Sequence, residues 1–526
     1  MWARCGDVAD VELSGRTGAS GMMLDQLIAG LDIRVVRGDA RRARVSDLTE
    51  DSRTVLPGSM FVARKGLASD GRRFVGEACV LGASVILSDD ASLATPPGVV
   101  LCVCENVAQM AAQVAERFYG APSSSLVLIG VTGTNGKTTV AYVAHRILNR
   151  CGVRCGLIGT VLVDDGRETA PAAMTTPPAI ELSRTLATMV ESGCRACVME
   201  VSSHALAQGR VDGLKFDAAV FTNLTQDHGD YHESKEDYLQ AKRRLFELLP
   251  AGGVGIVNAD DAASAQFRAD RLVRCSSRPG ADWWVEVCSQ SLAGMELSLV
   301  GGDEKVRCTT GMFGAYNAMN VLQAYVAART AVDVLADERA MNRLGSAVLG
   351  LKAPPGRLER ISGPGDDVTV FVDYAHTPDA LKNVLSALRS VSSGGRICVV
   401  FGCGGDRDRS KRAEMGRVAG TLADRVIVTS DNPRHETPGA IVSEILGGLS
   451  PQARAQAEVH VQRKTAIECA IVQALPGDIV LIAGKGHERV QIVPDGCGGV
   501  MELPFDDAVE AAAALRTRRE QEASRT

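Results

Sequence analysis

The chain has 526 residues, 45% of them hydrophobic and 23% charged, with a formal net charge of −6. That is the balance of an ordinary water-soluble protein, long enough for about three domains. It offers no electrostatic footprint for nucleic acid, no apolar run of membrane length and no basic N-terminal stretch leading into an apolar core. The fifteen cysteines sit largely in apolar runs, such as Cys102, Cys104, Cys197 and Cys398, so a cytoplasmic chain with reduced core thiols is expected. Neither Cys102/Cys104 nor Cys151/Cys155 has the paired spacing of a zinc site.

Residues 1–21 read as a weakly patterned leader. Strand-like runs at 60–63, 84–88 and 99–103 then alternate with helical patterns at 75–81 and 107–118, which predicts a small α/β module over residues 1–124. Ala121-Pro122-Ser123-Ser124-Ser125 reads as a linker.

The second region, 125–352, opens on an apolar run at 126–129 that predicts a buried strand of a parallel sheet. Next come Gly130-Val131-Thr132-Gly133-Thr134-Asn135-Gly136-Lys137-Thr138-Thr139, then helically spaced Val140, Val143, Ile147 and Leu148. Strand, glycine loop and helix are the context of a phosphate-binding loop. Backbone N–H groups close on phosphate oxygens, the lysine reaches the terminal phosphates, and the hydroxyl after it ligates Mg²⁺. The spacing departs from the usual one: Val131 stands where the first glycine belongs, and counting from Gly130 the loop is one residue longer. Two further strands are predicted at 195–200 and 218–223. The first ends on Glu200, placed to face a Mg²⁺–phosphate group, and the second leads into Gln226-Asp227-His228-Gly229-Asp230-Tyr231-His232, rich in possible ligands.

The third region, 353–526, follows the breaker cluster Ala353-Pro354-Pro355-Gly356. Strands predicted at 368–373, 397–401, 426–430 and 479–483 each end in a charged or glycine-rich loop, the pattern of a second, Rossmann-like doubly wound domain.

Gly133-Thr134-Asn135-Gly136-Lys137-Thr138, Glu200-Val201-Ser202-Ser203-His204, Gly356-Arg357-Leu358-Glu359-Arg360, Asp373-Tyr374-Ala375-His376-Thr377-Pro378 and Gly484-Lys485-Gly486-His487-Glu488 occur in this order. As an ordered set they resemble the Mur ligases of peptidoglycan synthesis, and within them the branch that adds the third residue of the stem peptide. The resemblance implies an N-terminal UDP-binding domain, a central ATPase domain and a C-terminal amino-acid-binding domain. It also implies an ATP-dependent carboxylate–amine ligase working through an acyl phosphate. Residues 133–139 would bind ATP, with Lys137, Thr138, Glu200 and His228 gathering phosphates and Mg²⁺. Lys242 matches a lysine that the family carries as a carbamate, able to join a second metal site; from local sequence alone it reads as a solvated helix lysine.

By the same resemblance Asn317 and Asn320 contact adenine, and Tyr316 stands where phenylalanine is more usual. Arg357 and Asp373, with His376 nearby, reach the nucleotide from the third domain, which implies closure over ATP. Ser52 meets the uracil, while Thr175, Thr176, Ser202, Gln208 and Arg210 line the path of UDP-MurNAc-L-Ala-D-Glu. Asp431-Asn432-Pro433-Arg434 resembles the loop of the members that add meso-diaminopimelate. The chemistry agrees: Arg434 and Arg407 can clamp the distal carboxylate, Asp431 and Glu488 can take the ammonium, and Pro433 stiffens the loop, with Asn432 and Gly484 expected to join the diaminopimelate site. Arg409 and Arg412 could share the clamping. A monomer is expected, with neither nucleic-acid nor membrane partners. The alternatives are the same ligase adding L-lysine or L-ornithine, a folylpolyglutamate synthetase-like ligase, a P-loop hydrolase or switch, and an inactive scaffold.

Overall fold

A computed structural model describes residues 21–66, 69–225, 231–232 and 234–524. His228 and residues 1–20 therefore lie outside the described residues. These fall into two units by compactness, with a boundary after Ala121.

The first unit, residues up to 121 with 178–184 and 209–214, holds a five-stranded sheet. Asp47–Thr49, Ser59–Ala63, Val85–Ser88 and Val100–Val103 run parallel in that order, and Arg34–Arg37 pairs antiparallel at the far edge. Ser59–Ala63 and Val85–Ser88 are buried along their whole length, as expected of parallel strands covered on both faces. The helix Val107–Phe118 ends where the periodicity predicts, capped by Asn106, whose side chain accepts from the Gln109 N–H.

In the second unit the central sheet has eleven strands. Its parallel heart runs Cys155–Ile158, Ala196–Glu200, Val127–Thr132, Ala218–Phe221, Val254–Asn258 and Arg271–Ser276. Val127–Thr132 comes first in the chain yet lies between the two strands that supply Glu200 and Thr222. That makes its C-terminal end the topological switch point where an open parallel sheet leaves a crevice. The strand is longer than the apolar run suggested, because it continues through Gly130-Val131-Thr132. Gly130 is a packing residue of this strand: a Cβ there would stand 2.8 Å from both Leu245 and Phe216. The unusual spacing is thereby resolved, since only Gly133 and Gly136 belong to the loop.

The second sheet of this unit has six strands, in the order Glu359–Arg360, Thr369–Asp373, Ile479–Ala483, Ile397–Phe401, Arg425–Thr429, Glu458–His460. All but the first pair in parallel, so the loops after 373, 401, 429 and 483 emerge at one edge, as the sequence predicted. One apolar cluster runs from the central strands through the helix Ala315–Val334 to Phe371, Val399 and Leu481, joining both sheets of this unit. The expected linker at 121–125 holds the boundary between the units and the turn Pro122–Ser124, whose buried Ser123 hydroxyl accepts from the Lys215 N–H. No helix among the described residues is long and apolar enough to cross a membrane.

Candidate active site

The phosphate loop is four residues, 133–136, between the strand Val127–Thr132 and the helix Lys137–Cys151. Gly136 is left-handed at φ 87°, and a Cβ there would sit 2.5 Å from Asn320 Oδ1. An L side chain is excluded on both counts. The loop is held from behind by the next strand: Thr134 N–H donates to the Asn223 carbonyl at 2.9 Å, Asn135 N–H to Asn223 Oδ1 at 3.0 Å, and Thr222 Oγ1 to the Asn135 carbonyl at 2.6 Å. Lys137 Nζ lies back over the loop, on the carbonyls of Gly133 (3.0 Å) and Thr134 (2.8 Å). From there its flexible stem can swing to a phosphate. Thr139 is buried in the first turn of the helix.

Thr138 Oγ1 and Glu200 Oε2 meet at 2.9 Å, and Glu200 is 1% exposed. Glu200 also accepts from Thr160 N (2.7 Å) and Thr160 Oγ1 (3.0 Å), and the Thr160 hydroxyl contacts that of Thr175 at 3.0 Å. Thr160 escapes sequence reasoning, because only strand order brings it beside Glu200. A carboxylate ringed by hydroxyls at the end of a phosphate loop is the hard-oxygen set that Mg²⁺ takes. The residues fit the ion.

Lys242 is buried, contrary to the solvated reading. It lies on the inward stripe of the helix Lys235–Glu247 with Tyr238 and Leu245. Its Nζ donates to the Gly133 carbonyl at 2.8 Å and stands 4.0 Å above the Tyr238 ring. Tyr238 in turn reaches Thr134 Oγ1 at 3.2 Å.

From the second sheet, Arg357 donates to Thr138 Oγ1 at 3.2 Å and stacks 4.3 Å over Tyr374, and Asp379 accepts from Asn135 Nδ2 at 3.2 Å. The two sheets are thus already joined across the loop. Burial raises the Asp373 carboxyl above its ordinary value, opposed first by Arg357. Its oxygens accept from the N–H groups of Leu358 and Ala375 at 2.6 and 2.8 Å, so Asp373 shapes the Arg357 loop. His487 is held down to about 4 by burial, with the Arg357 and Lys485 charges adding to it. Asn317 and Asn320 form one line, Asn320 Nδ2 to Asn317 Oδ1 at 3.2 Å and Asn317 Nδ2 to the Phe313 carbonyl at 3.0 Å, which leaves Asn320 Oδ1 against Gly136.

Of the residues expected along the sugar-nucleotide path, four belong to this unit. Thr176 Oγ1 donates to the Glu200 carbonyl (2.9 Å) and accepts from Ser202 N–H (3.0 Å), Thr175 touches Thr160, and Gln208 reaches the Tyr231 hydroxyl at 3.4 Å. Ser52 and Arg210 belong to the first unit. There the Ser52 hydroxyl donates to Glu77 at 2.9 Å.

A cavity of about 1210 Å³ opens between the two sheets of the second unit, lined by Thr225 and Tyr238 on one side and by Arg407, Asp431, Asn432, Arg434, Gly484 and Glu488 on the other. Arg434 is left-handed at φ 52°, spends one N–H on the Gly405 carbonyl at 2.8 Å, and is lowered from its ordinary value by burial first and by Arg407 second. Two clustered guanidinium groups with part of their donors uncommitted call for an anion. Arg412 and Arg409 do not share this work. Arg412, with no exposure, is spent on Glu436, Glu444 and the Gly404 carbonyl, and Arg409 pairs with Glu444. They build the wall that carries Arg407 and Arg434. Pro433 stands against Gly405, where its carbonyl leaves no room for a Cβ.

Three family models match the chain in order: the Mur ligase family catalytic domain over 44–119, the Mur ligase middle domain over 131–328, and the Mur ligase glutamate ligase domain over 356–486. The chain is 43% identical over 495 residues to the UDP-N-acetylmuramoyl-L-alanyl-D-glutamate–2,6-diaminopimelate ligase of Chlorobaculum tepidum, covering 90% of this chain and 95% of that one. The ligase of the same name from Gloeobacter violaceus is 41% identical over 502 residues, covering 95% and 99%. A solved structure of a ligase of this name superposes with a TM-score of 0.65 at 31% identity, covering 95% of this chain and 99% of that one.

Proposed function

The chain belongs to the Mur ligase family, and from that premise we propose that it adds meso-2,6-diaminopimelate to UDP-MurNAc-L-Ala-D-Glu, with ATP converted to ADP and phosphate. The product is the UDP-MurNAc-tripeptide of peptidoglycan synthesis. The observation that carries the choice of amine is the cavity that Arg434 and Arg407 line together with Asp431 and Glu488. Diaminopimelate ends in both a carboxylate and an ammonium, so it satisfies both pairs. Lysine and ornithine lack that carboxylate and would leave the guanidinium groups without it.

A γ-glutamyl carboxylate oxygen attacks the γ-phosphorus of ATP, the bond to the β-bridging oxygen breaks, and ADP leaves with that electron pair. Lys137 and the N-terminal end of the helix Lys137–Cys151 balance the charge on the transferring phosphoryl group, while Arg357 approaches from the other side. Bound Mg²⁺, held by Thr138 and Glu200 with His228 and a carbamylated Lys242, would neutralise phosphate charge. The neutral amine of diaminopimelate then attacks the acyl carbon, the tetrahedral centre expels phosphate, and the amine proton passes to solvent or phosphate. Arg434 and Glu488 contribute by fixing the distal head so that the near amine points at the acyl carbon.

A carbamate on Lys242 keeps one N–H, which can still donate to the Gly133 carbonyl, and adds a carboxylate beside the phosphate loop. Asn317 and Asn320 are read as the adenine contacts and Asp373 as the support of Arg357. Ser52, Thr175, Thr176, Ser202, Gln208 and Arg210 are read as contacts of the sugar nucleotide. We assign residues 1–124 to UDP binding, 125–352 to ATP and 353–526 to the amino acid, and the water-soluble nucleotide substrates suit the cytoplasm. Purified protein with ATP, Mg²⁺ and UDP-MurNAc-L-Ala-D-Glu is offered meso-diaminopimelate, L-lysine and L-ornithine in turn. ADP release with a tripeptide product of the right mass is expected for the first. ATP turnover independent of either acceptor would overturn the ligase reading.

A further inference from the structure

We propose that Lys485 is a positioning residue that sets specificity for the distal ammonium of the amine substrate, acting through Asn432 and Glu488. Lys485 follows the strand Ile479–Ala483 by two residues and has no exposure at all. Its Nζ donates to Asn432 Oδ1 at 2.9 Å and to Glu488 Oε2 at 3.0 Å, and Asn432 Nδ2 donates to the same Glu488 Oε2 at 2.8 Å.

The orientation of the Asn432 amide follows from chemistry. The Ile492 backbone N–H also points at Oδ1, at 3.0 Å. A backbone N–H and an ammonium can only donate, so the atom they share must be the oxygen, and the atom facing Glu488 must be the NH₂. With the lysine in place, both of its neighbours are locked. Glu488 has one oxygen pinned by two donors, while Oε1 accepts no hydrogen bond among the described residues and Glu488 lines the cavity. One committed oxygen and one open oxygen make a directional acceptor, suited to an ammonium and indifferent to a methylene. The hairpin Val490–Pro494 with Val500–Pro504 reinforces the loop: Gln491 Nε2 donates to the Asp431 carbonyl at 2.7 Å, and Arg434 N–H to the Ile492 carbonyl at 3.2 Å.

This inference rests on the proposed diaminopimelate reading. Its test compares diaminopimelate with 2-aminopimelate, which keeps the distal carboxylate and lacks the distal ammonium. Wild type and Lys485→Met are assayed for ADP release with each amine, and KM for ATP is followed as a control. The expected result is a rise of roughly tenfold or more in KM for diaminopimelate, the size of one charge-assisted hydrogen bond. KM for 2-aminopimelate and for ATP should stay within about twofold, so that the preference between the two amines collapses. Lys485→Arg, which restores a buried cation, should recover part of that preference. Should Lys485→Met fail to fold, Lys485→Gln, able to donate one of the two bonds, carries the same comparison. Equal losses with both amines, or an unchanged preference, would overturn the role given to Lys485. A wild-type enzyme that does not use diaminopimelate would instead overturn the reading beneath it.

Discussion

Replacing Arg434 by alanine isolates the contribution of the carboxylate clamp. Alanine keeps the β-carbon at φ 52°, so the left-handed backbone of the loop is equally strained in both proteins and cancels from the comparison. What is lost is a half-buried guanidinium, one bond to the Gly405 carbonyl, and the charge that faces the distal carboxylate. Truncating one partner of a buried, hydrogen-bonded charge pair costs 2–5 kcal/mol or more. Partial exposure places Arg434 at the lower end, about 2–3 kcal/mol, a fall of roughly 30- to 150-fold in kcat/KM for diaminopimelate. The assay is coupled ADP release, titrating diaminopimelate at saturating ATP and then ATP at saturating diaminopimelate. Among the described residues Arg434 bonds to Gly405 and makes no hydrogen bond to residues 133–139, so KM for ATP should hold within about twofold. An equal loss on both titrations, or diaminopimelate saturation like that of wild type, would refute the assignment.

Glu200→Gln preserves shape but removes the charge that gathers Thr138 and Thr160. A loss of at least about 100-fold in kcat is expected, with a higher Mg²⁺ requirement, read from initial rates across a Mg²⁺ titration. Protein equilibrated with ¹³C-bicarbonate should show a carbamate resonance that Lys242→Arg lacks, and that variant should ligate at least about 100-fold more slowly. His487 sits at about 4 in the folded protein against an ordinary 6.5. The unfolded chain therefore binds the extra proton first as pH falls. The stability His487 contributes is present above 6.5 and is lost between 6.5 and 4, by about 3 kcal/mol. Denaturant unfolding at several pH values in that window should show a shallower decline for His487→Asn than for wild type.

Most of the candidate site was legible along the chain, because each proposed phosphate or amino-acid contact sits on a loop directly after a predicted strand. Parallel strands are buried on both faces and read as short apolar runs, so the residues after them stand out. Gly133, Lys137, Glu200, Asp431 and Glu488 were singled out in this way. Residues whose role arises across strand order were not. Thr160 acquires meaning only because Cys155–Ile158 neighbours Ala196–Glu200, and Asp379 only because the second sheet abuts the phosphate loop. Lys485 lay in view between two glycines at a strand end, but nothing local distinguishes a buried lysine from a solvated one.

Linear spacing was enough to predict a nucleotide-binding loop and three regions, since glycine loops, strand ends and breaker clusters are local features, whereas the ligase reading came from the ordered motifs and their resemblance to the Mur ligases. Tertiary structure alone assigned the arginines, sending Arg409 and Arg412 to Glu436 and Glu444 and leaving Arg407 and Arg434 on the cavity. It alone buried Lys242 under the phosphate loop. The partners in each case lie 24 to 109 residues away in sequence. A charge gains its function from what stands opposite it, and that is settled by the folding of distant strands into one sheet edge.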